Sequence, residues 1–363
     1  MLKANKYDKE TLKEFVKTEN FKRKTLSFYK YFNIKEPWEF RNELFDHLYQ
    51  IQVLGRIYIA KEGINAQINI PEHNMERLMQ LVRSYKGMKN IKFNEALDEN
   101  APSFYKLTIK VKDKIVADGL NDNVFDVSKV GRHLSAEDFN KAMEDEETVI
   151  VDMRNHYEQE VGHFDGAILP DVENFREELP KVEEILKGKE DKKVLLYCTG
   201  GIRCEKASAY LKHKGFEDVN QLQGGIIEYA KQVRKKGLEN KFYGKNFVFD
   251  ERLGERVSSD VISECHQCGR TCDIHCKNVQ CNLLFIQCEK CSQKYDGCCT
   301  PKCREIANLP EEVQAEMRKG KQVKKRFNKN KDEMNALKKK IEEQEAALER
   351  GESLVEEFKN FKG

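Results

Sequence analysis

The sequence lacks any hydrophobic run long enough to span a membrane. Its longest clean apolar stretches include Val194–Cys198 and Leu283–Ile286, far shorter than a spanning helix, which needs roughly 18 residues. The first residues also show neither the apolar core nor the small-residue cleavage site of a secretory signal. We therefore expect a cytoplasmic protein with no membrane among its partners.

The sequence also lacks a large net charge of either sign. Its 64 basic and 62 acidic side chains leave a formal net charge of +2, so any site for a polyanion must be a local patch. Residues 318–331 form such a patch, with eight basic side chains and no acidic one. The candidate RNA contacts within it are Lys321, Lys324, Lys325 and Arg326. The alternative interpretation is a solvated linker, which is what most charge runs are.

The composition that remains is that of a globular protein with several domains. Hydrophobic residues make up 39% of the 363 residues, and a typical size of roughly 150 residues per domain predicts two to three domains. We expect a ferredoxin-like α+β domain at 1–118, an α/β domain with a parallel sheet at 128–245, a cysteine-rich segment at 246–310, and a basic linker with a charged helical tail at 311–363. The first shows no obvious catalytic set and is interpreted as a scaffold or RNA-docking domain. The tail helix is expected to be solvated.

A cysteine at the end of a predicted buried strand is the strongest candidate for chemistry. Cys198 follows an apolar run and opens a loop made of Thr199, Gly200, Gly201, Ile202 and Arg203, after which a helix is predicted. Loop N–H groups and the positive end of a helix both stabilise a thiolate, and Arg203 offers a permanent cation to an anion. The alternative is a structural cysteine, but the glycines and the arginine favour catalysis.

These residues resemble the rhodanese family. Residues 198–203 fit its active loop, Cys-x-x-Gly-x-Arg, and residues 219–225 resemble its closing strand and turn. Asp152 and Arg154, together with the Gly-His-x-x-Gly-Ala run at 162–167, resemble its entry motif. The resemblance implies a rhodanese α/β domain in which Asp152 and Arg154 support the loop. Cys204 departs from it, since many rhodaneses have Ser or Thr there.

The flanking segments make the resemblance more specific. The runs at 55–67 and 247–252, followed by Cys-His-Gln-Cys-Gly at 265–269, resemble the bacterial tRNA uridine hydroxylase family over nearly the whole chain. That resemblance implies oxygen-dependent formation of 5-hydroxyuridine at wobble position 34 of tRNA, with Cys198 essential.

The oxygen chemistry does not follow from the residues alone. Activation of O2 normally uses a flavin, haem or iron, and the sequence shows no flavin, haem or NAD motif. The expected requirements are O2 and an unidentified reductant, with a persulfide on Cys198, from a donor protein, as one hypothesis. Two alternatives stay open: a sulfurtransferase acting on thiosulfate or a protein persulfide, and a zinc-containing RNA-binding adaptor.

Ten of the 12 cysteines lie between Cys265 and Cys303. In a reducing compartment such clustering indicates metal ligands rather than disulfides. Two Cys-x2-Cys pairs with zinc-ribbon spacing predict a structural zinc site; its ligands are Cys265, Cys268, Cys288 and Cys291. A possible second site takes Cys276, Cys281, Cys298 (or Cys299) and Cys303. A metal-free turn region and an iron–sulfur cluster are the alternatives.

Overall fold

The computed structural model describes residues 7–97, 101–121, 124–270, 273–276, 278–320, 326–327 and 331–356. The chain divides into two compact units. The first comprises Met1–Asn155, His163–Pro170 and Asn174–Ser259, and the second comprises His156–Gly162, Asp171–Glu173 and Asp260–Gly363. Among the described residues, no helix is both long and apolar enough to cross a membrane.

The N-terminal part of the first unit is a five-stranded sheet with the strand order β4-β1-β3-β2-β5. Its elements are α1 (Lys9–Lys17), β1 (Arg23–Tyr31), α2 (Pro37–Gln50), β2 (Leu54–Ala60), β3 (Gly63–Pro71), a 3-10 turn (Glu72–Asn74), α3 (Met75–Ser84), β4 (Asn94–Glu95) and β5 (Leu107–Val111). This is the expected ferredoxin-like, or acylphosphatase-like, arrangement, so the predicted fold class is confirmed here.

The two faces of this sheet differ in polarity because side chains alternate along each strand. One face carries Leu26, Phe28, Ile57 and Ile68, which are buried together with apolar side chains of α2 and α3. The opposite face is polar, and the strand register aligns it in two rows. The rows are Ser27–Gln67–Arg56 and Tyr29–Asn65–Tyr58.

The second part of the first unit is the expected α/β domain. Its elements, together with one helix of the other unit, are β6 (Arg132–Leu134), α4 (Ala136–Ala142), β7 (Val149–Asp152), α5 (His156–Gln159), β8 (Gly162–Phe164), α6 (Phe175–Leu186), β9 (Lys193–Tyr197), α7 (Ile202–His213), β10 (Asp218–Leu222), α8 (Gly225–Lys236), β11 (Phe242–Phe247) and β12 (Gly254–Arg256).

The parallel sheet of this domain has the order β6-β10-β9-β7. The apolar run that predicted a doubly covered strand is β9, whose residues 194–197 are fully buried. Ser135 caps the N-terminus of α4, since its Oγ accepts the N–H of Asp138 at 3.2 Å. The central parallel sheet is therefore confirmed, and it delivers residue 198 to the end of a rigid strand.

The second unit contains the cysteine-rich segment and the charged tail. Its remaining elements are β13 (Asp273–His275), β14 (Leu283–Ile286), α9 (Glu289–Lys294), α10 (Pro301–Ala307), α11 (Glu311–Arg318), β15 (Arg326–Phe327) and α12 (Lys331–Glu349). The expectation of a solvated tail is wrong for one face of α12. Leu337 and Ile341 are only 9% and 5% exposed and join the cysteine-rich core, because that segment has too few apolar residues of its own to close a core.

A buried lysine joins the two domains of the first unit. Lys206 of α7 is fully buried, and its Nζ lies 2.8 Å from Asp118 Oδ2, 2.9 Å from Glu62 Oε2 and 3.0 Å from the carbonyl oxygen of Val116. Glu62 occupies the tight turn between β2 and β3. A buried ammonium group is tolerated only when it is paired and hydrogen-bonded, so this contact fixes the N-terminal sheet against α7.

Replacing Lys206 with Met tests this link. The substitution leaves Glu62, which is 21% exposed, without its cation, and it leaves Asp118, which is 2% exposed, with Lys114 Nζ at 2.8 Å but without Lys206. We expect the free energy of unfolding to fall by about 3–5 kcal/mol in urea denaturation. Lys212→Met, on the exposed side of the same helix, is the matched control and should change it by less than about 0.5 kcal/mol. Equal stabilities for the two variants would contradict the structural role of Lys206.

Candidate active site

Cys198 lies directly beyond β9, at the start of the loop that leads into α7. Its Sγ accepts the N–H of Gly201 at 3.1 Å. Gly201 has φ +99°, in the left-handed region, and an added Cβ would lie 2.8 Å from Tyr29 Oη. Only glycine fits this position without strain, so the loop can turn its backbone N–H toward the sulfur.

The surroundings of Cys198 stabilise its thiolate. Burial by itself raises the pKa of this thiol, but the hydrogen bond from the Cys204 thiol, the charge of Arg203 and the backbone N–H groups of both residues lower the pKa to about 6. Burial and the neighbouring Cys198 raise the pKa of Cys204 well above its usual range. Cys204 therefore stays protonated and acts as a donor to an ionised Cys198.

The loop rests on the first turn of α8. The carbonyl oxygens of Cys198 and Thr199 accept the N–H groups of Ile226 and Ile227 at 3.0 and 3.2 Å. A Cβ on Gly225 would lie 2.5 Å from the Cys198 oxygen, so this close approach requires glycine. Gly225, in the turn at 219–225, thus allows the first turn of α8 to support the Cys198 loop.

Asp152 and Arg154 are buried beside Tyr197, at the end of β9 that precedes Cys198. The two side chains are fully buried and joined by two hydrogen bonds, Nε to Oδ1 at 2.8 Å and Nη2 to Oδ2 at 2.7 Å. The Arg154 guanidinium also lies 5.7 Å from the ring centroid of Tyr197, the last residue of β9. This position suits a support of the strand end that presents Cys198.

A cavity of about 350 Å3 opens above Cys198. The rhodanese-type loop contributes one wall, formed by Cys198, Thr199, Gly200, Ile202 and Arg203. The polar face of the N-terminal sheet contributes a second wall, with Ser27, Tyr29, Arg56, Tyr58, Asn65 and Gln67. A third wall comes from the segment after β11, with Val248, Phe249, Asp250, Arg252 and Glu255. The cavity is thus shared between the two domains of the first unit.

Sequence reasoning missed the second and third walls. The sequence predicts a scaffold or RNA-docking domain here, because no obvious catalytic set is visible among its residues. The alternation on β1, β2 and β3 could have revealed a polar face, but only the register shows that Arg56 and Gln67 stand side by side. Residues 247–252 contribute to the sequence analysis only through their resemblance to the hydroxylase family.

Tyr29 and Glu205 join the sheet wall to the start of α7. Tyr29 Oη donates to Glu205 Oε1 at 3.1 Å, and the other partners of this carboxylate are His133 Nε2 at 3.0 Å and Gln221 Nε2 at 3.3 Å. Burial, followed by the charge of Glu205, raises the pKa of Tyr29 well above its usual range. The phenol therefore stays neutral beside the Cys198 loop.

Two groups of four thiols in the second unit can each hold a metal ion, since the sulfur atoms within each group lie within 4.8 Å of one another. The first group contains Cys265, Cys268, Cys288 and Cys291, and the second contains Cys276, Cys281, Cys299 and Cys303. The first group consists of the four cysteines of the two Cys-x2-Cys pairs. Cys272 lies outside the described residues.

The sequence left Cys298 and Cys299 as alternatives in the second group, and the thiol that lies among the other three is that of Cys299. Cys299 Sγ lies 3.5 Å from the sulfur atoms of both Cys281 and Cys303. Cys298 instead directs its thiol toward the carbonyl oxygen of Asp296, 3.9 Å away.

The candidate RNA contacts remain untested. Lys321, Lys324 and Lys325 lie outside the described residues. The backbone of Arg326 pairs with Leu283 of β14, but its side chain is not described.

Three family models match successive parts of the chain. They are a UPF0176 acylphosphatase like domain at residues 23–115, a rhodanese-like domain at 135–232 and a rhodanase C-terminal domain at 243–304.

Several curated proteins are similar to the chain along most of its length. A tRNA uridine(34) hydroxylase of Leptospira interrogans is 56% identical, with 89% of each chain covered. The protein of the same name from Photorhabdus laumondii is 52% identical, covering 88% of this chain and 91% of that protein. That of Enterobacter sp. strain 638 is 49% identical, covering 91% and 96%.

Removing the thiol of Cys204 tests its effect on Cys198. Cys204→Ala loses a hydrogen bond to a charged group, which should raise the pKa of Cys198 from about 6 by about one unit. Since the thiolate is the reactive form, the midpoint of iodoacetamide alkylation against pH should move upward by the same amount. Mass spectrometry of the Cys198 peptide gives this midpoint.

Cys204→Ser is the matched control, because its hydroxyl keeps a donor in the same place. Its alkylation midpoint should stay close to that of the parent chain. An unchanged midpoint in Cys204→Ala would show that the thiol of Cys204 does not stabilise the thiolate.

Proposed function

The chain belongs to the tRNA uridine(34) hydroxylase family, and on that premise we propose that it converts uridine 34 of tRNA into 5-hydroxyuridine, with Cys198 as the essential residue. Relatives of that name cover about nine-tenths of the chain at 49–56% identity. The proposed place of action is the cytoplasm.

The observation that carries the proposal is the cavity, which places a stabilised thiolate opposite a polar wall. Its volume of about 350 Å3 suits a flat base with part of its sugar. Uridine 34 belongs to a single-stranded loop, so its base can be turned outward and inserted into a pocket at little cost. The aromatic side chains of Tyr58 and Phe249 in the lining offer faces for stacking.

The reaction needs an oxidant and a reductant. In the proposed scheme O2 supplies the oxygen atom that enters at C5, and the C5 hydrogen leaves as a proton. A two-electron reductant and protons convert the second oxygen atom to water. Cys198 is the proposed carrier of a persulfide sulfur from a donor protein, because its loop has the rhodanese pattern and its thiolate is stabilised at neutral pH.

One feature favours a second candidate, a rhodanese-type sulfurtransferase. The low pKa of Cys198 and the nearby charge of Arg203 also suit attack on thiosulfate or on a protein persulfide. The sheet wall above the loop has no evident use in that reaction, whereas a nucleotide would occupy it.

Replacing Cys198 with Ser tests the proposed activity. The change keeps the size of the side chain but removes the low-pKa sulfur, so we expect 5-hydroxyuridine in tRNA to fall to background. Nucleoside mass spectrometry of tRNA from a deletion strain carrying the parent or the variant chain measures this. Circular dichroism should show the same fold for both chains.

Substantial 5-hydroxyuridine formed by Cys198→Ser would contradict an essential sulfur. If the parent chain forms none but transfers sulfur from thiosulfate to cyanide, the sulfurtransferase replaces the hydroxylase as the proposed function.

We propose that each four-thiol group holds a structural zinc ion. Thiolates about 2.3 Å from a tetrahedral Zn2+ lie about 3.8 Å from one another. The sulfur atoms of Cys268 and Cys288 lie 3.4 Å apart, and those of Cys281 and Cys299 lie 3.5 Å apart. Both groups therefore fit closed sites, and metal binding would stabilise a unit with a small apolar core.

Elemental analysis of the purified chain should find two zinc ions per molecule. Cys299→Ala should retain one, because it removes a ligand of the second group. Cys298→Ala is the matched control at the adjacent buried position and should retain both. Equal zinc contents for the two variants would contradict the assignment of Cys299.

The basic segment completes the proposal. Lys321, Lys324, Lys325 and Arg326 are proposed to contact phosphates of tRNA and to release counterions on binding. This would supply the local positive patch that a nearly neutral chain needs.

A further inference from the structure

One polar row of the N-terminal sheet continues beyond the cavity onto the edge strand β5. This row contains Tyr58, which lines the cavity, and the parallel pairing of β2 with β5 places Lys110 beside it. Residues paired in this way point to the same face of a sheet. The row that lines the cavity therefore ends in an exposed lysine at the edge of the sheet.

Lys110 belongs to a set of three lysines on that face, which we call the basic strip. Lys106, Lys110 and Lys112 are exposed, while Leu107 and Ile109 between them are buried, as expected for alternation along a strand. The carbonyl oxygen of Lys106 and the N–H of Lys112 make hydrogen bonds of 2.9 and 2.8 Å to β2. Both ends of the strip are thus fixed to the sheet.

The basic strip carries positive charge that the protein leaves uncompensated. Among the residues that the structure describes, no acidic side chain forms an ion pair with Lys106, Lys110 or Lys112. Arg252, in the lining of the cavity, differs because two carboxylates lie 2.6 Å from it. The ammonium groups of the strip are therefore available to an external anion such as a phosphate.

A second hollow adjoins the cavity at the end of the strip. Its volume is about 450 Å3, and its lining shares Tyr58 and Ile115 with the cavity. Lys112 of the strip and Arg176 at the start of α6 also line it. The hollow thus forms a path from the edge of the cavity to the strip.

The charges around this hollow favour an anion. Lys114 and Asp118 of its lining pair with each other at 2.8 Å. The other charged side chains of the lining are those of Lys112, Arg176 and Asp113, all of them exposed. Positive charge is therefore in excess, and the neighbouring Lys110 adds to it.

We propose that the basic strip and the adjoining hollow bind the phosphates on either side of the target uridine, with Lys110 and Lys112 as the main contacts. This inference rests on the proposed function, in which the cavity takes the base of uridine 34. A base inserted there brings its backbone to the edge of the cavity, where the hollow begins. Lysines two positions apart on a strand are separated by about 7 Å, which is close to the spacing of successive phosphates in single-stranded RNA.

Such contacts would position the anticodon loop without reading its sequence, because every nucleotide carries the same phosphate. The strip would hold nucleotide 34 over the cavity and leave the choice of uridine to the cavity itself. It belongs to the same compact unit as Cys198, whereas the basic segment at 318–331 belongs to the other unit. The two basic regions can therefore be tested separately.

Neutralising two lysines provides the first test. Binding of an anticodon-arm RNA hairpin to the parent chain and to Lys110→Gln/Lys112→Gln is measured by fluorescence anisotropy at several salt concentrations. Each lost contact with a single-stranded phosphate should reduce the slope of log K against log salt by about 0.7, and the pair should reduce it by about 1.4. At low salt the dissociation constant should rise roughly tenfold.

Lys86→Gln/Lys89→Gln is the matched control. Both lysines are exposed in the same domain, but they follow α3, which packs on the apolar face of the sheet. This variant should keep the slope and the dissociation constant of the parent chain, and urea midpoints should be the same for all three proteins. Equal slopes for the two double variants would overturn the proposal.

Uncharged linkages in the RNA provide the second test. Hairpins with a methylphosphonate in place of the phosphate 5′ or 3′ of nucleotide 34 lack one negative charge at a known place. At least one of them should bind the parent chain roughly 3- to 10-fold more weakly, and this penalty should shrink to within about twofold in Lys110→Gln/Lys112→Gln. A penalty of equal size in the two chains, or none in the parent chain, would also overturn the proposal.

The proposed function and this inference fail differently. Formation of 5-hydroxyuridine by the parent chain, with equal slopes for the two double variants, rejects the role of the strip and leaves the hydroxylase. A reduced slope in Lys110→Gln/Lys112→Gln alone, without 5-hydroxyuridine from the parent chain, rejects the hydroxylase and retains the strip as an RNA-binding site.

Discussion

The arrangement of the candidate site depends on one buried cation. Lys206 joins the turn that carries Glu62 to the helix that begins at the Cys198 loop, with Asp118 as the second carboxylate. A buried ion pair is weak evidence for stability, because desolvation offsets much of the attraction. The pair instead restricts the geometry of docking. An unpaired buried ammonium is so unfavourable that the N-terminal sheet packs where Glu62 reaches Lys206.

The packing of the N-terminal sheet against α7 determines which residues line the cavity. With the sheet fixed over α7, Tyr29 reaches Glu205, and Tyr31 Oη reaches the carbonyl oxygen of Ile202 at 3.3 Å. The polar rows of the sheet then face the loop instead of water. Burial alone would raise the pKa of Cys198 and keep its thiol protonated. The Cys204 thiol, Arg203 and the loop N–H groups lower that pKa instead. Enclosure and activation of the sulfur are thus achieved together.

The second unit follows a different stabilising principle. Its core combines cysteine side chains with a few apolar ones and with Leu337 and Ile341 from the tail helix. Tyr295 Oη also donates to Glu345 of that helix at 2.7 Å. A segment this poor in apolar residues closes its core with one face of the tail helix, which is why the charged tail does not behave as a free helix.

The sequence alone determined the features that depend on neighbouring residues. The pattern of neighbouring residues predicted the buried strand that leads to Cys198, the glycine-bearing loop after it and the helix that follows the loop. The short Cys-x2-Cys spacings grouped one set of thiols in the same way. The loop involves neighbouring residues only, and each Cys-x2-Cys pair is itself a short motif, so these patterns are visible within short stretches of sequence.

Tertiary structure decided the features that depend on distant residues. The alignment of Arg56 with Gln67, the meeting of Glu62 with Lys206, the place of Lys110 beside Tyr58 and the choice of Cys299 over Cys298 all follow from strand register and domain docking. Register is set by pairing across the sheet, and docking is set by burial of charge. Strand register and domain docking produce no periodic pattern in the sequence, because the residues in contact are far apart along the chain.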